Sequence, residues 1–264
     1  MKNPDDSWWL KLARAKKHLT ELQEYTAAFS ETRPYEPLLS INRQEDRTDY
    51  IVRAFLQDPP DYVPAVIIGD VIHNTRSALD HIVAALTEPP ELRERSSFPI
   101  YTEDITQPGF KEQRKAFAAA TEGLPDDACA FVKRVQPYNR GKDAIRDPLA
   151  LLNRFSNADK HRELLVTTNT IHEPGTALEW EPNGPRYRQH AIGKTFENGA
   201  VVACFPIAGH PDTQPNVHTH GAVQIAIQGT PEDGGNFPLP YALEEILKYV
   251  WERVILALDI FVPS

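Results

Sequence analysis

Between Asp61 and Thr87 the chain contains no Lys and no Glu, yet Ile68, Ile72, Leu79, Ile82, Val83 and Leu86 recur at the spacing of one buried helical face. A helix is predicted from Pro64 to about Thr87, stopped by Pro89 and Pro90. At about 100° per residue, Asp70, His73, Arg76, Ser77, Asp80 and His81 share an arc of roughly 140° opposite the apolar stripe. Solvated helix faces favour Lys and Glu, whose long side chains stay hydrated. Short, directional groups instead suit a polar face held against another element by defined hydrogen bonds, or a built site. A solvated face, a buried structural network and a functional site are the three readings of this arc, and the helix itself is expected to be the central one of the fold.

Around it the periodicity is mixed. A first helix is predicted from Ser7 as N-cap to about Ala28, with Leu12, Ala15, Leu19 and Leu22 on one stripe. The runs Pro37–Asn42 and Thr48–Gln57 read as a hairpin. Helical patterns cover about Gly109–Thr121 and Asp126–Gln136, and another starts at Asp147 as N-cap with Pro148 in the first helical position, reaching about Glu163. From there the pattern turns to β, in Leu164–His172, Ala177–Glu181, Arg186–Ile192, Ala200–Pro206 and Ala222–Gln228. A last helix carries Leu243, Ile246, Leu247, Val250, Val254, Leu258 and Phe261. The expected class is α+β: a helical bundle from residues 1–163 plus 236–264, with an antiparallel β-rich section at 164–235, either inserted or fused into one domain.

Composition narrows the functions. A hydrophobic content of 41% over 264 residues supplies a core without staples, and Cys129 and Cys204 form no Cys-x-x-Cys pair, which suits reduced thiols in a cytoplasm. No apolar run approaches the ~20 residues of a membrane span, so no membrane partner is expected. A net charge of −9 argues against broad phosphate-backbone binding, while leaving room for a local basic site. Trp8-Trp9 reads as a bundle anchor or a dimer contact.

Candidate chemistry centres on the polar arc. Asn153, Asn157 and His161 stand at i, i+4 and i+8 on a second helix, with Asp159 beside them. Were the two helices to meet, His73, Asp80, His81, Asp159 and His161 would join imidazoles to carboxylates that fix tautomers, as an acid/base pair or a metal or small-ligand site. The alternative is a purely structural network in an interaction protein. His218-Thr219-His220 puts two imidazoles on one side of a strand and, preceded by His210 and Asp212, has tolerable zinc or iron spacing, but Gly, Pro and Thr surround it as in an exposed loop. No Gly-rich phosphate loop, Gly-x-Ser-x-Gly elbow or His-Glu-x-x-His motif is present, and no cofactor is expected.

Gly69-Asp70 through His81, Phe98-Pro99-Ile100, Gln136-Pro137-Tyr138 and Asn157-Ala158-Asp159-Lys160-His161-Arg162 together resemble an uncharacterised family of bacterial, often actinobacterial, proteins over most of residues 8–165. That resemblance implies no activity. More loosely, Arg76-Ser77-Ala78-Leu79-Asp80-His81 resembles the mark of HEPN domains, an Arg and a His four to six residues apart on a helical bundle. The HEPN resemblance implies a homodimer that cleaves RNA without metal, Arg76 acting on the scissile phosphate and His81 in acid/base transfer on the 2′-hydroxyl. His73, Asn74, Ser77, Asp80, Asp159 and His161 would support that site or bind a ligand. On a regular helix positions 76 and 81 lie about 140° apart, so both reach one phosphate only across a dimer seam or a kink.

Overall fold

The computed structural model describes residues 6–31, 35–56, 63–160, 168–180, 185–190, 195–210, 212–227 and 237–262. Helix α1 (Ser7–Glu31) opens with the Asp6 carbonyl accepting the amides of Trp9 and Leu10, so the cap falls one residue before Ser7. Its stripe of Leu12, Ala15, Leu19 and Leu22 is buried against α2 (Val63–Leu86), the central helix. Trp8 and Trp9 are both buried, and Trp9 meets Trp251 edge-on at 5.7 Å, which makes the pair a bundle anchor.

After α2, a short 3-10 turn (Pro90–Arg95) leads into an extended stretch without regular structure, residues 96–101. Helices α3 (Lys111–Ala120) and α4 (Asp126–Arg134) follow, then a 3-10 segment (Pro137–Arg146) and α5 (Pro148–Lys160). The predicted cap of α5 is present: Asp147 Oδ1 accepts the Leu149 amide at 2.8 Å, and Pro148 occupies the position where a missing N–H does no harm. The C-terminal helix starts as α6 (Leu239–Tyr249), passes through a π-helical stretch (Val250–Ile255) and ends as α7 (Leu256–Asp259). Its apolar side, including Leu243, Val250, Val254 and Leu258, completes the helical core.

The strands are all antiparallel. β1 (Tyr35–Arg43) and β2 (Arg47–Leu56) form the predicted hairpin. The later strands are β3 (Thr168–Glu179), β4 (Arg186–His190), β5 (Thr195–Glu197), β6 (Val201–Ala208), β7 (Asn216–Ile227) and β8 (Phe237–Pro238). Two of the expected runs, 164–172 and 177–181, belong to one strand, β3, with a register shift between His172 and Gly175 absorbing the Glu-Pro interruption; residues 164–167 and 181 lie outside the described residues. β7 begins six residues before the apolar run starting at Ala222, so His218-Thr219-His220 lies in a strand.

The hairpin does not stand apart from the β-rich section. β6 pairs with β2, giving the order β1-β2-β6, while β4-β3-β7-β8 with β5 on β3 makes the other sheet. The two share a second core of Tyr50, Val52, Ala54, Leu178, Trp180, Val202, Ala203, Phe205 and Ile207. Trp180 meets Tyr50 edge-on at 5.4 Å and donates its indole N–H to the Thr213 carbonyl, so its polar end is satisfied although the ring is buried.

One glycine joins the end of α2 to the α3–α4 turn. Gly123 has φ +84°, a Cβ there would lie 2.3 Å from the Glu88 carbonyl oxygen, and its own carbonyl accepts the Glu88 amide at 3.0 Å. Gly123→Ala combines left-handed strain with a backbone clash, and is expected to destabilise the protein by about 1–3 kcal/mol in urea denaturation.

Candidate functional site

The polar arc of α2 divides among three neighbours. Arg76 and Asp80, one turn apart, both turn toward Phe98. Arg76 Nη2 donates to the Phe98 carbonyl at 2.6 Å and lies 3.0 Å from Asp80 Oδ1, which accepts the Phe98 amide at 2.9 Å. The two side chains thus hold both polar groups of one residue's backbone, while the Phe98 ring is wholly buried in the helical core. The Arg76 side chain is only 16% exposed, and burial pushes its pKa down, with Asp80 opposing the shift. Nη1 is buried without a hydrogen-bond partner among the described residues.

A second clamp, unforeseen in the sequence, grips the same stretch further on. Gln136, 1% exposed, donates through Nε2 to the Pro99 and Val132 carbonyls and accepts the Tyr101 amide on Oε1 at 2.9 Å. Along residues 98–101, side chains therefore hold both polar groups of Phe98, the Pro99 carbonyl and the Tyr101 amide, while the Tyr101 carbonyl accepts the backbone amide of Tyr138. The only sequence signal for Gln136 was its place in Gln136-Pro137-Tyr138.

His81 faces the other way. With Ser7, Ala84, Ala85 and Arg93 it lines a shallow cleft of about 280 Å³ beside the first turn of α1. Its pKa is pushed below the ordinary 6.5 by burial and by the Lys11 ammonium, with Asp80 partly compensating. Arg93 is held by the Thr87 carbonyl and the Glu88 carboxylate. Arg76 and His81 are thus engaged with different elements, as their angular separation on an unkinked helix dictates.

The wider cluster does not assemble either. His73 is exposed, with Nε2 3.5 Å from Ser77 Oγ. Asn74 is buried and donates to the Asp70 carbonyl of its own helix. Asp159 packs beside Gly69, where an added Cβ would come within 2.9 Å of its Oδ1, and so stands well down α2 from Asp80 and His81. The two helices share the helical core, and Asp159 approaches α2 at Gly69. His161 lies outside the described residues. Among the described residues no group of three His, Cys, Asp or Glu is placed to hold a metal ion. His218 is exposed on β7 with Nε2 3.8 Å from Glu179 Oε2, and His210 meets Thr48 Oγ1; the side chain of His220 lies outside the described residues.

Two contacts escaped the sequence reading. Buried His18 on α1 lies 3.9 Å from the Asp70 carboxylate and 3.3 Å from Glu21. Lys11, on the same helix, shapes the charge around His81. Among the described residues no helix is long and apolar enough to cross a membrane. Comparison with protein-family models, curated proteins and solved structures finds no match to this chain.

Removing one member of the Phe98 clamp leaves a buried partner unpaired. Arg76→Met is expected to lower stability by about 1.5–3 kcal/mol, and Asp80→Ala to be more damaging than Asp80→Asn, whose amide oxygen still accepts the Phe98 N–H; chemical denaturation of the three variants checks this ranking. At His81 the unfolded chain takes up its proton at higher pH than the folded one, so stability is lost as pH falls below the ordinary histidine range. Between about pH 7.5 and about pH 5 the wild-type melting temperature should therefore fall further than that of His81→Gln.

Proposed function

We propose that this chain works by binding and not by catalysis, and that the polar face of α2 is part of its framework. One observation carries the reading: Arg76 and Asp80 are both committed to the backbone of Phe98. A phosphate reaching Arg76 would have to displace a carbonyl and a carboxylate from a guanidinium that is already buried. The conspicuous segments around Arg76-Asp80, Phe98-Pro99 and Gln136 also account for one another, since each supplies what another lacks. Residues that meet in this way hold the fold together, and no substrate is needed to explain them.

A second reading keeps phosphate or RNA as the partner but moves the chemistry. His81 is biased toward its neutral, proton-accepting form, and Lys11 and Arg93 supply positive charge near it. In this reading His81 exchanges a proton with a substrate hydroxyl, Lys11 stabilises the phosphate in the role the HEPN resemblance gives to Arg76, and a second copy of the chain completes the site.

Incubating purified protein with mixed cellular RNA in excess EDTA separates the two. The binding reading expects no cleavage above a buffer control. Cleavage by the wild type that disappears in folded His81→Ala and Lys11→Ala would establish the second reading and sink the first.

A further inference from the structure

Away from α2, the pair α3–α4 and the loop before it enclose a cleft of about 490 Å³. Its size falls within the usual range of small-molecule sites, roughly 300–1,000 Å³. The floor is apolar: Ile105 and Phe117 are buried, and Leu124 and Ala118 extend it. The rim is charged, with Arg114 and Lys133 against Asp126, and the Asp104 carboxylate of the adjoining loop acts on the Tyr138 hydroxyl that also lines the cleft, raising its pKa together with burial.

The wall is held in place. Arg114 Nη1 donates to the Ile105 and Gln107 carbonyls, both at 2.8 Å, which fixes the loop over α3. Asp104 caps the same loop through Thr106 and Gln107, and those hydrogen bonds hold its carboxyl below the ordinary range. The Lys133 ammonium lies 5.9 Å from the centre of the Phe117 ring, at the edge of the apolar floor, and no carboxylate among the described residues is within ion-pair reach of it.

We propose that this cleft binds a small organic anion with a flat apolar body, the rings lying on Phe117 and Ile105 and the anionic group meeting Lys133. Neither reading of α2 bears on it, because none of these residues touches Arg76 or His81. Cys129 lines the same cleft, its thiol 3.8 Å from Thr121 Oγ1, and therefore reports on occupancy. A Cys204→Ser background removes the chain's other thiol, an exposed one, and leaves Cys129 alone to react.

The probe is 8-anilinonaphthalene-1-sulfonate, with N-phenyl-1-naphthylamine as its counterpart lacking the sulfonate. In Cys204→Ser protein, saturating sulfonate should slow the reaction of Cys129 with Ellman's reagent at least about tenfold, since the bound rings cover the thiol. Fluorescence titration should show a single site, weakened about five- to tenfold by Lys133→Gln as a charged contact is lost. Ala118→Trp, a substitution at an exposed helical position that fills the cleft, should abolish the site while circular dichroism confirms folding. The uncharged amine should bind at least about fivefold more weakly than the sulfonate. The proposal is overturned if the sulfonate fails to bind, binds folded Lys133→Gln and Ala118→Trp as well as the parent, or leaves Cys129 reacting at its free rate. Equal binding of the amine overturns the anion preference.

Discussion

A stretch of extended backbone crosses the helical bundle at residues 98–101 without a neighbouring strand, and the peptide groups of that stretch set the terms for much of the rest. An unpaired amide or carbonyl at such depth is destabilising by about 1–3 kcal/mol, so a chain that routes extended backbone through a helical core must bring hydrogen-bonding side chains with it. Arg76, Asp80 and Gln136 are those side chains. Their positions fix the rotation of α2 about its own axis and the placing of the end of α4. With α2 oriented, its apolar stripe is presented to α1 and the C-terminal helix, and the bundle closes around Phe98.

This explains why a guanidinium stands at position 76 and not an ammonium. Arg is more weakly hydrated than Lys and donates several N–H groups in a plane, so a single side chain can serve a carbonyl and a carboxylate together. The same geometry that makes arginine apt for phosphate makes it apt for pinning a peptide. A short pattern of Arg and His on a helix therefore carries two physical meanings. Burial separates them: Arg76 is enclosed and paired, while His81, on a different side of the helix, keeps access to solvent.

The local part of the fold could be read from the sequence. The stripe and polar arc of α2, the Asp147-Pro148 start of α5 and the β1–β2 hairpin all rest on neighbours within a few residues, and all are present. The choice of residue types between Asp61 and Thr87 pointed to a polar face held by hydrogen bonds or to a built site, and within that arc Arg76 and Asp80 are held against Phe98 while His73 is exposed. What it was held against was invisible, because Phe98 and Gln136 lie far along the chain and a lone Gln has no spacing rule. The expected meeting of His73, Asp80, His81 and Asp159 failed for a simpler reason. Sharing an arc of one helix says nothing about height along it, and Asp159 packs beside Gly69, about three turns from Asp80.

The pairing of β6 with β2 has a consequence for how the chain emerges from the ribosome. β2 ends at Leu56 and its partner begins at Val201, about 145 residues later. At roughly 5–20 residues per second, the hairpin waits about seven to thirty seconds with one edge open. An unpaired edge invites pairing with other chains. Arg47, Asp49 and Arg53 place charge along that waiting strand, and keep a nascent hairpin dispersed until its own β6 arrives.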